Sequence, residues 1–334
     1  MNNANLKKLL NDYERKRIQE ENDLEYRKNK LYNSYPRLQE IDRELSSLAI
    51  SSAKQLIQKN SKDIINNLNN SINNLKKEKN ELLFSIGKDY NYLTPNYDCN
   101  LCKDTGYITN NYETKMCNCL KQKLFNLEYN KSNFTNLEKH NFSTFDSTVY
   151  SNNVDNVKFG CDKSPRENIE IIKQIAINFI DNFDNLDEKN LLFTGNTGLG
   201  KTFLSSCIAN ELIKKQKTVL YQTAPVMLDS IIDYRFGKNS NNIYNNILDV
   251  DLLIIDDLGT ECMNNMKFTE LFNIINTRLL NQNNKPTKTI ISTNLSIQNL
   301  FNSYDERIVS RFIGYYNICR FFGEDLRFKL RNRN

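Results

Sequence analysis

Residues 195–202 read Gly195-Asn196-Thr197-Gly198-Leu199-Gly200-Lys201-Thr202. They satisfy the pattern G-x-x-x-x-G-K-[ST] at every fixed position, and the apolar run Leu191-Leu192-Phe193 stands just before them. A strand over 191–194, a loop, and a helix over 201–215 are therefore expected. That context makes the motif a phosphate-binding loop. Gly195, Gly198 and Gly200 let backbone N–H groups curl around an anion. The following helix points the positive end of its dipole at the same place. Lys201 is expected to reach the β- and γ-phosphates of ATP. The Thr202 hydroxyl is expected to help hold Mg²⁺. Asn196, Thr197 and Leu199 complete the cradle.

Outward from the loop, helices alternate with short apolar strands. Ser164-Pro165 opens a helix that runs past Ile169, Ile172, Ile175, Phe179 and Ile180. Strands are expected at 218–222, 252–255 and 289–292. Strands separated by helices predict an α/β fold with a parallel sheet. Two of these strands end in polar side chains. Asp256 and Asp257 close the run Leu252-Leu253-Ile254-Ile255. Paired carboxylates at the end of a buried strand are costly unless they bind something. Asp256 is the candidate Mg²⁺ ligand, and Asp257 suits polarisation of an attacking water. Asn294, after Thr289-Ile290-Ile291-Ser292-Thr293, is placed to orient that water.

Upstream, residues 1–90 hold one proline, Pro36, and one glycine, Gly87, among many lysines and glutamates. Leu38, Ile41, Leu45 and Leu48 alternate spacings of three and four. Ile65, Leu68, Ile72, Leu75, Lys79, Leu82 and Ile86 do the same with one polar interruption. This is the stripe of helices packed on helices, a hairpin or coiled-coil-like bundle, with Ser34 as a cap before Pro36. A self-contained coiled coil and a partner-docking arm both fit. Residues 91–125 are turn-rich. Cys99-x-x-Cys102 and Cys117-x-Cys119 can there close a tetrahedral Zn²⁺ site. The single histidine, His140, is remote from these cysteines. Residues 126–163 read as a linker with weak structure. The net charge is +5, which permits contact with nucleic acid. No apolar run approaches the roughly 20 residues of a membrane span, and the N-terminal residues lack a secretory h-region. No membrane association and a cytoplasmic location are expected.

The order of motifs resembles the AAA+ ATPases of the bacterial replicative helicase-loader family (the DnaC and DnaI type), with IstB-like transposition ATPases close by. The residues that carry it are the phosphate loop, LLIIDDLG at 252–259, STN at 292–294, ERIVSRFIG at 306–314 and GEDLR at 323–327. The helical N-terminal region and the cysteine segment resemble the Gram-positive form of the loader. The resemblance implies an AAA+ P-loop core over 164–334. Asp256 and Asp257 become the Walker B acids and Asn294 sensor 1. Arg311 becomes the finger that reaches a neighbouring subunit's γ-phosphate, with Arg307 as the alternative. Arg327 becomes the sensor 2 arginine. The resemblance also implies ATP hydrolysis, self-association through the AAA+ part, docking on a replicative DNA helicase hexamer, and single-stranded DNA. The last would be touched near residues 223–246, where Tyr234, Arg235 and Lys238 lie. With only a short stretch after Asn294, an initiator's helix-turn-helix is not expected. Two further readings stay open: an IstB-like helper of a transposase, and a nucleotide-dependent adaptor with little hydrolysis.

Overall fold

A computed structural model of the chain describes residues 3–57, 62–110, 113–129, 140–238 and 243–331. Residues 130–139 of the expected linker, residues 239–242 of the expected DNA-contact segment and the Ile65 side chain lie outside the described residues. Two compact units are present, one of residues 10–114 and one of residues 115–334 with the first nine residues.

Helices α1 (Asn3–Ser34), α2 (Pro36–Ile57) and α3 (Lys62–Ser85) account for the N-terminal stripe. Leu31, Leu38, Leu83 and Leu93 form a small buried cluster, with Tyr32, Leu82, Ile86 and Tyr92 packed against it. Charge reinforces the α2–α3 pairing. Arg37 reaches Glu40 and Glu44 on its own helix and Glu78 on α3, and Lys79 pairs with Asp42. Pro36 opens α2 as expected, since its missing N–H costs nothing in a first turn. Ser34 is not its cap. It ends α1, where its hydroxyl donates to the Lys30 carbonyl, and the break falls at Tyr35. Strands β1 (Tyr107–Asn110) and β2 (Glu113–Met116) make a separate two-stranded sheet.

The larger unit is a five-stranded sheet with helices on both faces. It begins with α4 (Asn118–Glu128), α5 (Asn156–Phe159) and α6 (Pro165–Asp181), then β3 (Asn190–Thr194) and α7 (Lys201–Lys214). Next come β4 (Val219–Thr223), α8 (Ala224–Arg235), α9 (Ile243–Asp249), β5 (Leu252–Leu258) and α10 (Asn265–Asn281). The last elements are β6 (Lys288–Thr293), α11 (Ile297–Ser303), α12 (Glu306–Tyr315), β7 (Tyr316–Arg320) and α13 (Leu326–Arg331). The strand order is β4-β5-β6-β3-β7, every pairing parallel. The three central strands are buried throughout except at Asp257, which is why they read as unbroken apolar runs. Because β3 sits between β6 and β7 while its crossover leads to β4, the chain reverses direction across the sheet beside β3. In open α/β sheets ligands bind outside the carboxyl ends of strands at such a point.

Three features depart from the sequence reading. Strand β5 runs three residues beyond Ile255, through both aspartates, with a register shift against β6 between Ile255 and Leu258. β7 was not expected at all; it is an edge strand in which only Tyr316 and Cys319 are buried. Residues 118–125, expected as turns, lie within helix α4. Its Leu120, Leu124 and Phe125 are buried, and Phe125 joins the main core. Gln122 then clasps the outer edge of β4: Oε1 accepts from Val219 N at 2.6 Å and Nε2 donates to Val219 O at 3.0 Å. An open sheet edge is a liability, and this side chain pairs part of it.

Candidate nucleotide-binding site

The phosphate loop is shaped by what presses on it. Gly195 has φ +134°, and a Cβ there would lie 2.1 Å from the Phe321 carbonyl oxygen. Gly198 has φ +77°, and a Cβ would meet the Asp325 carboxylate at 2.0 Å. Both the dihedral and the contact demand glycine. Leu326 N donates to Gly198 O at 2.9 Å, and the Tyr150 hydroxyl donates to Leu199 O at 2.9 Å. Distant parts of the chain thus fix the loop from two sides.

Lys201 heads α7 and is buried. Its Nζ donates to Gly195 O at 2.5 Å, Asn196 O at 2.7 Å and Asn294 Oδ1 at 2.8 Å. Burial pushes its ammonium down to about 8, against the pull of Asp257 and Asp256. The Thr202 hydroxyl lies 3.1 Å from Asp256 Oδ2. Tyr221 donates to the same oxygen at 2.7 Å, and Ser292 donates to Oδ1. Asp257 has φ +56°, a conformation uncommon for any residue but glycine and least costly for Asn and Asp. Its N–H lies 3.1 Å from Ser292 Oγ and 3.2 Å from Asp256 Oδ1. Burial raises the Asp257 carboxyl, Asp256 adds to this, and Lys201 and Arg327 oppose it. Thr202 and Asp256 offer hard oxygen donors next to the phosphate loop, the donor set Mg²⁺ takes.

Beside these groups lies a cavity of about 600 Å³. Gly198, Lys201, Thr202, Asp257, Asn294 and Arg327 line it. So do His140, Phe145, Asp146, Val149 and Tyr150. That second set comes from the stretch expected as a weak linker. Two 3₁₀ turns, Phe142–Thr144 and Ser147–Val149, shape it. Phe142, Phe145 and Val149 pack on the core, and Arg166 donates to the carbonyls of Thr148 and Tyr150. The weak pattern hid a wall of the cavity, because its apolar residues are spaced at neither helical nor strand period.

The other sequence candidates fall elsewhere. Neither Arg311 nor Arg307 lines the cavity. Arg311 sits on α12, with Nε and Nη2 donating to Asn276 Oδ1 at 3.0 and 2.8 Å and the guanidinium over the Phe272 ring. Arg307 pairs with Asp305 in its own turn. In the expected DNA-contact segment, Arg235 is clasped by Glu270 and stacks on Tyr244, and Lys238 pairs with Asp233. Arg235 is thus engaged within the protein, and Tyr234 is packed on the core.

The cysteines do gather. The Sγ atoms of Cys99, Cys102, Cys117 and Cys119 all lie within 4.8 Å of one another. A Zn–S bond of about 2.3 Å sets tetrahedral sulfurs about 3.8 Å apart, so the set fits zinc. The Asp104 carboxylate accepts from the N–H groups of Asp98 and Cys99 and tightens the first turn, where Lys103 and Asp104 have positive φ. Purified chain is expected to carry about one zinc ion, measured by elemental analysis after purification without chelator. Cys119 lies on α4, the helix whose Gln122 clasps β4. Cys102→Ser is expected to release the metal and loosen residues 91–125 while leaving the nucleotide-binding part folded. No zinc in the parent chain rejects the site.

A parallel sheet carrying a phosphate loop, an acidic β5 end and a polar β6 end around one cavity defines an AAA+ P-loop nucleotide-binding protein. The family described as IstB-like ATP binding protein matches residues 139–313, just over half of the chain, and the chain belongs to that family. It is 26% identical over 138 residues to the replicative helicase loader DnaC of Escherichia coli K12, covering 41% of this chain and 54% of that one. It is 25% identical over 168 residues to a putative insertion sequence ATP-binding protein, y4pL, of Sinorhizobium fredii, covering 49% and 64%. The matched part spans about half the length of the loader. Among solved structures, the crystal structure of the DnaC helicase loader aligns with a TM-score of 0.44 at 19% identity, over 56% of this chain and 98% of that one. No helix among the described residues is long and apolar enough to cross a membrane.

Proposed function

We propose that this chain hydrolyses ATP and uses it, in the cytoplasm, to load a replicative DNA helicase hexamer onto single-stranded DNA. The observation that carries the ATPase reading is the single cavity lined by Lys201, Thr202, Asp257, Asn294 and Arg327. In this reading Lys201 and the loop N–H groups bind the phosphates, with Thr202 and Asp256 as the oxygen ligands for Mg²⁺. That ion would neutralise charge on the phosphates as the bond breaks. Asp257 polarises the attacking water, Asn294 orients it, and Arg327 steadies the γ-phosphate. Arg311 serves a neighbour's site in a self-associated AAA+ part. Residues 1–90 form the helicase-docking arm and 91–125 the zinc segment; of the stretch 126–163 read as a linker, residues 140–150 join residues 164–334 in the ATPase domain.

The loader reading is supported by the likeness to DnaC and by the three N-terminal helices, which offer a partner more surface than an ATPase core alone. The likeness to the insertion-sequence protein keeps a second reading in play, a helper of a transposase on duplex DNA. The assay that separates them mixes the full chain with the host's replicative helicase and a closed single-stranded DNA circle, with and without ATP. ATP-dependent appearance of helicase on the circle supports loading. No complex with the helicase at micromolar concentration sinks it.

Asp257→Asn tests hydrolysis itself. Asparagine tolerates the left-handed backbone of this position, so the variant removes charge without forcing the turn. ATP affinity is expected to hold within about threefold while single-turnover hydrolysis falls about 100-fold, the lower range for losing a group that polarises water. Unchanged turnover moves that role away from Asp257. A parent chain that binds ATP but never turns it over favours the adaptor.

A further inference from the structure

Asp256 is 4% exposed, and four donors converge on its two oxygens. Thr202 Oγ1 and the Tyr221 hydroxyl reach Oδ2; Ser292 Oγ and the Asp257 N–H reach Oδ1. They arrive from three directions: α7 above the sheet, β4 on one flank of β5, and β6 on the other. Tyr221 is two residues before Thr223, which is in register with Asp256, so the two side chains stand on one face of the sheet as diagonal neighbours. Around the tyrosine ring that face is apolar: Leu252, Ile254, Ile290, Leu191 and Phe193 cluster with it. Phenylalanine would pack there as well. The hydroxyl needs another account, and its position supplies one.

We propose that Tyr221 is a positioning residue for the divalent cation, its hydroxyl holding Asp256 so that this carboxylate and Thr202 present oxygens to the ion together. The proposal rests on the reading of Thr202 and Asp256 as cation ligands. A carboxylate turns easily about its last torsion, which is a broad sp³–sp² rotation. Something outside the residue must fix its plane. Tyr221 is suited to that task because its ring is 1% exposed and wedged among side chains, so its oxygen has little freedom. It has a neighbour in turn: the Ser206 hydroxyl can give its one proton either to the Tyr221 oxygen or to the Thr202 carbonyl, 2.8 Å away. The serine thus stands between the tyrosine and the threonine on the Oδ2 side of the site. Without the hydroxyl, Oδ2 keeps only Thr202. A hydrogen bond to a charged group is among the stronger ones a side chain makes, so its loss is expected to be felt by whatever the carboxylate holds.

The test uses the full chain and calorimetric ATP affinity, measured once in EDTA and once across a magnesium titration. In Tyr221→Phe, affinity in EDTA is expected to stay within about twofold of the parent, since the hydroxyl does not touch the phosphate loop. The enhancement of affinity by magnesium is expected to fall about tenfold, with the half-saturating magnesium concentration rising by a similar factor, a loss of the size of one charge-assisted hydrogen bond. Ser205→Ala, a buried serine beside Ser206 on α7, is the control and is expected to change neither quantity. Tyr221→Leu serves in the same way if the phenylalanine chain is not recovered folded. A folded variant at position 221 that keeps the parent's magnesium enhancement overturns the proposal. A parent chain in which magnesium does not change ATP affinity overturns the cation reading beneath it, and that result is visible before any variant is made.

Discussion

Lys201→Ala is expected to weaken ATP binding at least 100-fold. Lys201 is 5% exposed and its ammonium is held by three oxygens, two of them loop carbonyls and one the Asn294 side chain. Those partners orient the ammonium across the mouth of the loop but carry no formal charge. Burial accordingly holds its pKa down to about 8. A nucleotide's phosphates supply the charge partner that is missing. Two charge-assisted hydrogen bonds at about 1.5–3 kcal/mol each account for the expected loss. Alanine also leaves Asn294 without its link to the loop. The fold should survive, because the core beneath α7 is built from Leu204, Ile208 and Leu212 and not from the lysine. Calorimetric titration with Mg-ATP checks this, with the melting temperature as the folding control. Affinity within about threefold of the parent removes Lys201 from the site and takes the phosphate-loop reading with it.

What could be read in the sequence was whatever is local. The phosphate loop, the acid pair and Asn294 each sit in one short segment, and each follows an apolar run that forms a strand. The helix opening at Ser164-Pro165 is local too, and in the structure Ser164 caps α6 together with Glu167. What could not be read is contact between residues far apart in the chain. Tyr150 holds Leu199 across 49 residues, and Gln122 clasps Val219 across 97. No pattern in either segment announces its partner. Tyr221 looked like one more aromatic residue in a strand, because its packing follows from period and composition while its hydrogen bond does not. Strand β7 went unseen for a related reason. Its burial follows no period of two, with Tyr316 and Cys319 buried and Ile318 exposed, and five residues with two polar side chains make a weak signal. Arg278 shows the same limit from the other side. It reads as a surface arginine on a helix, yet it is 1% exposed. Its guanidinium donates to the carbonyls of Ile247, Val250 and Lys288, and burial lowers it to about 10.

Arg311→Ala is expected to bind ATP normally and to lose about 1,000-fold in turnover, the low end of what a finger arginine contributes. The structure gives this residue a posture that suits such work. Its guanidinium is fixed by Asn276 and the Arg307 carbonyl and laid over Phe272, and it is absent from the lining of its own chain's cavity. A planar fork fixed in this way loses little freedom on meeting a phosphate. Arg307 also lies over Phe272, but its charge is paired with Asp305 in its own turn and it is mostly exposed. If the finger acts across a head-to-tail interface, each site draws its loop from one chain and its arginine from the next. Arg311→Ala and Lys201→Ala chains should then each be inactive alone. Mixed in equal amounts, about one interface in four pairs an intact loop with an intact arginine, from random association at such an interface. Turnover of the mixture should approach about a quarter of the parent rate per chain, in the presence of whatever DNA or partner drives assembly. A mixture no more active than its components, from chains that co-assemble by light scattering, removes the shared site. Parent-level turnover in Arg311→Ala alone leaves the shared site possible but passes the finger to Arg307, whose release from Asp305 would then be the step to measure.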